Sequence, residues 1–256
     1  MPRHLTDDLG HPVEVVPEVR RVVSLVPSLT EAIAASCPGV LVGATDWCTH
    51  PADLEASGVA RVRGTKNPDL RAIEALRPDV VVANKEENRE LDVRRLRERG
   101  VAVWVTDIET VPGAVASMRR LLREVLGLAA DPGWLIEADA AWSGPVPEPS
   151  QRAVVPIWRD PWMVVGRRTF TADLLARSGI EVVTGGVAGR YPAVGLDVLD
   201  DPSAADVVLL PDEPYVFTDD DGPEAFGSVP TRLVSGRLLT WYGPSLTAAR
   251  ISLDRS

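Results

Sequence analysis

The chain has 256 residues, 45% of them hydrophobic and 25% charged, and a net charge of −10 at neutral pH. That length holds one large or two small cores. The acidic balance speaks against a nucleic-acid partner, which needs a basic footprint, and no apolar run reaches the roughly 18 residues that cross a bilayer.

The opening stretch, MPRHLTDDLGHPVEVV, lacks the apolar core of a secretory leader. It leads to the expectation of a cytoplasmic location. Cys37 and Cys48 are the two cysteines; they form no disulfide framework and are expected to be reduced there.

In chain order, RVVSLV (21–26) reads as a buried strand bounded by Pro27. Ser28 followed by Glu31 has the spacing of a capping box, opening a helix that stops near Pro38-Gly39. VLVGAT (40–45) predicts a strand, and NPDLRAIEALRPD a helix with Asn67 as N-cap and Pro68 at its first position. DVVVA (79–83), a helix over EENRELDVRRLRERG closed by Gly100, and strand VAVWVT (101–106) complete an α/β alternation. From about Pro112 to Trp142 the spacing becomes helical, interrupted at Asp131-Pro132-Gly133, and SGPVPEPSQ marks a boundary. Beyond it RAVVPIW (152–158) and DVVLL (206–210) predict strands, and TADLLARSG a helix. RLVSG with RLLTW is strand-like, and SLTAARISL helical. The predicted class is α/β: an N-terminal lobe over 20–111, a helical connector over 112–145 and a C-terminal lobe over 152–256, each lobe with a mainly parallel sheet.

The unusual residues fall just past the predicted strands. PSLTE, TDWCTHP and NKEENR do so in the first half, and WRDPWM, DEPYVF and WYGPSL in the second. In open parallel sheets ligands bind at that carboxyl rim. Rims facing one another would wall a cleft with Trp47, Trp158, Trp162, Tyr215, Trp241 and Tyr242. Seven tryptophans against three phenylalanines suit a flat or bulky apolar ligand, although about half of the indoles are expected in cores.

Plainer roles stand beside these. Glu31 completes the capping box, Glu86 and Glu87 favour a helix start, and Arg159 with Asp160 makes a surface ion pair. Lys85 is not explained by a helix start, which disfavours a cation. Cys48 and His50, at i and i+2, share a side of an extended chain, so both reach one metal there. A closed zinc site wants four ligands, however, and Asp46, Glu31 or a bound molecule would have to complete the shell. No G-x-S-x-G, P-loop, H-E-x-x-H or G-x-G-x-x-G pattern occurs.

From about Arg21 to Leu253, RVVSLVPSLTEAI, IEALRPDVVVANKEENR, WRDPWM, RSGIEVV and DVVLLPDEPYVF resemble the helical-backbone metal receptor family. These are the class III substrate-binding proteins of vitamin B12 and iron-siderophore importers. TDWCTHP, GTKNPD, NKEENR, EPYVF and WYGPS resemble a B12-binding-like subgroup without an export signal. The resemblance implies two Rossmann-like lobes bridged by a long helix at about 113–142, a shallow cleft and little hinge motion. It also implies a metal-chelate ligand, corrinoid or siderophore, with Trp47, Trp158, Arg159, Tyr215, Trp241 and Tyr242 around it. Importer-coupled members place an acidic residue on each lobe to dock the permease; the matching positions here hold Arg71 and Asp197. The reversed charge at Arg71 puts permease docking in doubt.

The expected function is therefore binding of a tetrapyrrole-type metal chelate, a corrinoid first. Lys85, Glu86, Arg159 and Glu213 would orient its polar edges, and Cys48 or His50 would supply an axial ligand. The alternatives are a chelatase or hydrolase using His50 with Glu86, Glu87 or Glu213, and an importer receptor whose leader is missing.

Overall fold

The computed structural model describes residues 1–254. The chain divides into two compact units. The first comprises Met1–Ile108, Gly113–Glu137 and Tyr242–Pro244; the second comprises Glu109–Pro112, Ala138–Trp241 and the chain from Ser245 onward.

The first unit opens with an antiparallel hairpin, β1 (Arg3–Thr6) and β2 (Pro12–Val15). Its turn is closed by Asp7, which accepts the amides of Leu9 and His11 and pairs with Arg97 at 2.7 Å. Val13 and Val15 alternate inward, the period-two pattern of a half-buried strand. The main sheet contains β3 (Val22–Ser24), β4 (Leu41–Ala44), β5 (Ala60–Arg61), β8 (Val80–Asn84) and β9 (Val103–Thr106), in the order β5-β4-β3-β8-β9, all parallel. Between them lie α1 (Pro27–Ser36), the two-residue strands β6 (Arg63–Gly64) and β7 (Asn67–Pro68), α2 (Leu70–Ala75) and α3 (Glu90–Glu98). Val81, Val23, Ile73 and Leu96 sit in one core cluster, and every residue of β8 is buried, as expected for a parallel strand covered on both faces.

Two helix starts differ from expectation. In α1, Pro27 takes the first turn and Val26 the cap position without a side-chain cap, so Ser28 lies inside the helix and no capping box forms. The Thr30 hydroxyl instead donates to the Val26 carbonyl at 2.9 Å. In α2 the cap is Asp69, whose carboxylate accepts the amides of Arg71 and Ala72, both at 3.1 Å. Asn67 and Pro68 are drawn off into the β6–β7 hairpin.

The stretch 112–145 holds α4 (Val111–Arg120), a π-helical turn (Leu121–Val125) and, past Asp131-Pro132-Gly133, α5 (Gly133–Trp142). The second unit's sheet has β10 (Gln151–Val154), β13 (Ile180–Val182), β14 (Val207–Pro211) and β15 (Thr231–Val234), parallel in the order β13-β10-β14-β15. RAVVPIW is not one strand. Pro156 has no amide to give a ladder, and the chain leaves the sheet there to pair β11 (Pro156–Trp158) with β12 (Met163–Val164) antiparallel. α6 (Phe170–Ala176), α7 (Leu196–Leu199), α8 (Gly236–Thr240) and α9 (Ser245–Asp254) complete the unit. GRLLT is thus a helix rather than a strand; Leu239 is buried and Thr240 donates to the Gly236 carbonyl at 2.9 Å. No helix among the described residues is long and apolar enough to cross a membrane.

Removing the Asp69 cap by Asp69→Ala is expected to lower the urea midpoint, and Asn67→Ala to lower it much less. Urea unfolding of both variants measures the difference, and an equal loss would mean that Asp69 does not cap α2.

Candidate ligand-binding site

In the first unit, β3, β4 and β8 end in loops that are fixed by buried polar groups. Asn88 is buried; its Oδ1 accepts the Asn84 amide at 2.9 Å, and its Nδ2 donates to the Leu25 carbonyl at 3.2 Å and the Thr65 carbonyl at 3.0 Å. One side chain therefore ties the ends of β3 and β8 to the β6–β7 hairpin. Asn84 Nδ2 donates to Thr106 Oγ1 at 3.0 Å, while its Oδ1 accepts the amides of Glu86 at 2.8 Å and Glu87 at 3.3 Å. Glu86 and Glu87 thus occupy a turn ahead of α3, not its first residues, so the helix dipole is not what holds them. Burial pushes the Glu87 carboxyl up from its ordinary range, against the opposing pull of Lys66. Lys66 also donates to the Glu86 carbonyl. Lys85 pairs with Asp107 at 2.8 Å, which accounts for the cation.

TDWCTHP is a tight loop, not an extended strand. The Cys48 amide donates to the Thr45 carbonyl at 3.1 Å, and Arg61 Nη1 donates to the carbonyls of Thr45 and Cys48, both at 2.9 Å. Cys48 and His50 consequently meet different surroundings. The Cys48 thiol is fully buried between the hydroxyls of Thr30 (3.0 Å) and Thr45 (3.1 Å), and burial pushes it up from its usual titration range. His50 is exposed, with Nδ1 3.1 Å from the Thr49 hydroxyl. The shared-side geometry is absent, and no group of three or more metal-ligating side chains occurs among the described residues. Trp47 is 66% exposed and lies over Gly64, where a Cβ would stand 3.3 Å from the indole nitrogen.

In the second unit the loops after β11 and β14 share an aromatic and ionic cluster. Trp158, 45% exposed, meets Tyr215 edge-on at 5.6 Å; Tyr215 packs on Phe217 at 4.7 Å, and Trp162 stacks on Phe217 at 5.9 Å. Arg159 lies over the Trp162 ring at 5.5 Å. It pairs with Asp221 and with Glu224 (2.5 Å), whereas Asp160, its expected partner, is at 4.0 Å. The Tyr215 hydroxyl donates to Asp221 at 2.7 Å, which raises the phenol and lowers the carboxyl. Asp221 is the last of three consecutive aspartates, Asp219–Asp221.

Trp241 is buried and donates its indole N–H to Glu213 Oε1 at 2.5 Å. Burial raises the Glu213 carboxyl despite this bond. Gly236 lets the Glu213 loop approach, since a Cβ there would lie 2.6 Å from the Glu213 carbonyl. Tyr242, in the turn of the first unit at Tyr242–Pro244, is buried too. Trp104 and Trp142 are core. Loops on which proline-linked peptides are cis carry several of these groups: His50-Pro51, Asp160-Pro161 and Glu213-Pro214.

In native protein at pH 8, Ellman's reagent is expected to modify half-buried Cys37 while Cys48 reacts at least about a hundredfold more slowly, becoming available on unfolding. Two fast thiols would show that Cys48 is open to a ligand.

No family model matches the chain. A vitamin B12-binding protein of Pectobacterium carotovorum subsp. carotovorum (strain PC1) is 31% identical over 103 residues, 40% of this chain and 37% of the relative. The chain thus aligns with about two fifths of that relative's length. Among solved structures, the periplasmic heme-binding protein BhuT in complex with two hemes superposes with a TM-score of 0.74 at 21% identity, covering 92% of this chain and 96% of that one. The periplasmic vitamin B12 binding protein BtuF of Vibrio cholerae gives 0.72 at 15%, covering 93% and 96%. An ABC transporter substrate-binding protein of Listeria monocytogenes EGD-e gives 0.68 at 16%, covering 93% and 98%. These neighbours overturn the expected cytoplasmic location: the proteins of this fold named for heme and vitamin B12 are periplasmic. The cytoplasmic expectation rested on the first residues alone, and they carry no weight about location. By sequence the chain is similar to vitamin B12-binding proteins, and it has the two-unit, parallel-sheet α/β fold of class III substrate-binding proteins.

Proposed function

We propose that the protein binds a tetrapyrrole-type metal chelate, a corrinoid first, at the carboxyl rims of its sheets. The observation that supports this most is the pair of indoles, Trp47 and Trp158, left exposed on firmly tied rim loops. Exposed indoles of that kind gain most by covering a flat apolar face, since each buries some 150–250 Å², worth roughly 4–6 kcal/mol gross at about 25 cal/mol per Å². Tyr215 would extend the Trp158 face. Lys85, Glu86, Arg159 and Glu213 would meet polar edges, each already steered by a partner: Asp107, the Asn84 turn, Asp221 and Trp241. Buried Trp241 and Tyr242 would act by supporting these loops rather than by covering ligand. His50 is the accessible candidate for an axial bond to the metal; Cys48 is not accessible.

A chelatase or hydrolase would draw on the raised carboxyls of Glu87 and Glu213. Glu213, however, is committed to Trp241 and Thr240, an orienting arrangement rather than one poised to move protons. Titration with cyanocobalamin and with hemin, followed by absorption and indole quenching, tests the proposal. Saturable binding is expected, weakened about tenfold or more by Trp158→Ala. No spectral response to either at about 100 μM would end the tetrapyrrole assignment, and metal release over time would move it to an enzyme.

Coupling to an importer would use exposed Arg71 in α2 and exposed Asp197 in α7. A guanidinium facing basic permease residues repels them. Arg71→Glu is expected to strengthen pull-down by a vitamin B12 importer about tenfold; an unchanged yield would remove Arg71 from any docking role.

A further inference from the structure

We propose that the second unit carries an anion-binding pocket, separate in its residues from the aromatic loops above, that takes a small organic acid: a phosphate or carboxylate group on an apolar body. A cavity of about 650 Å³ is lined by Arg167, Arg168 and the turn Thr184–Gly189, with Val183 and Ala204. That volume lies in the range of small-molecule sites, and far exceeds what a bare inorganic ion fills.

The lining holds two guanidiniums and no carboxylate, in a chain whose net charge is −10. Arg167 is partly neutralised by Glu181 at 2.8 Å. Arg168 is exposed and makes no hydrogen bond or ion pair among the described residues. The amides of Gly185, Gly186, Ala188 and Gly189 likewise donate to no group among the described residues. Unspent N–H donors beside an unspent guanidinium are what an oxyanion needs, and charge-assisted bonds to it are the strong ones.

This turn is built, not slack. The Val187 amide donates to the Thr184 carbonyl at 3.1 Å, and the Thr184 hydroxyl to the Val187 carbonyl at 2.8 Å. The Gly166 amide donates to the Arg190 carbonyl at 2.7 Å. A Cβ at Gly166 would stand 2.0 Å from the Gly189 carbonyl oxygen, and one at Gly185, where φ is +58°, 2.0 Å from Val198. Glycine is required at both, since no Cβ fits there. The apolar body of the ligand would lie on Val183, Val187 and Ala204.

The test is a titration of the full chain, labelled with nitrogen-15, with phenyl phosphate, benzoate and the neutral isostere benzyl alcohol. Saturable amide shifts confined to Gly185, Gly186, Ala188, Gly189 and their neighbours are expected with the acids and not with the alcohol. Either acid supports the proposal, and their affinity ratio names the preferred oxyanion. Arg168→Ala is expected to weaken binding about tenfold or more, Arg168→Lys less, and Arg94→Ala, exposed on α3 of the first unit, not at all. No saturable shift by about 10 mM, equal shifts with benzyl alcohol, or wild-type affinity in Arg168→Ala would overturn it. None of these readouts depends on the tetrapyrrole proposal.

Discussion

In both units the central strands are covered on both faces, so that β8 and β14 are buried from end to end and can carry no polar chemistry along their length. Burying an unpaired polar group costs too much there. Polar side chains enter where each strand runs out: Asn84 closes β8, and Asp212 follows β14. Polar and charged side chains are consequently gathered at the carboxyl rims, the place where parallel sheets leave strand ends and helix starts open.

Loops at such a rim would be slack without ties, and here the ties are polar. Asn88 satisfies one amide and two carbonyls from three segments. Losing it would leave buried groups unpaired at about 1–3 kcal/mol each. In the second unit Asp221 joins Tyr215 to Arg159, and Trp241 holds Glu213. The exposed tips, Trp47 and Trp158, stand on these fixed bases. For the ligand proposed above, bases fixed in this way would leave little to order on binding, which is how preorganisation turns contact area into affinity.

The misplaced elements share a cause. Asn67-Pro68 has the local form of a helix start, yet its backbone pairs with Arg63-Gly64, and Asp69 takes the cap. RLLTW alternates little, a pattern that helix and strand share over so short a run; in the fold it is a helix, with Leu239 buried and Thr240 bonded back to Gly236. Cys48 and His50 sit at a spacing that implies a common side only in extended chain, and Arg61 bends that segment into a loop. The N-terminal hairpin had a readable alternation at Val13 and Val15, masked by the polar residues around it.

By itself the sequence determined the α/β class, the run of buried strands and the crowding of aromatic and charged residues just past their ends. Apolar periodicity and turn residues act locally, and each segment states them on its own. Only the tertiary structure decided which rim residues remain open and which are spent. Trp47 and Trp158 are left exposed, while Cys48, Trp241 and Tyr242 are buried, and Asp221 becomes the partner of Tyr215 and Arg159. Burial and pairing are set by neighbours far away along the chain, and no local spacing encodes them.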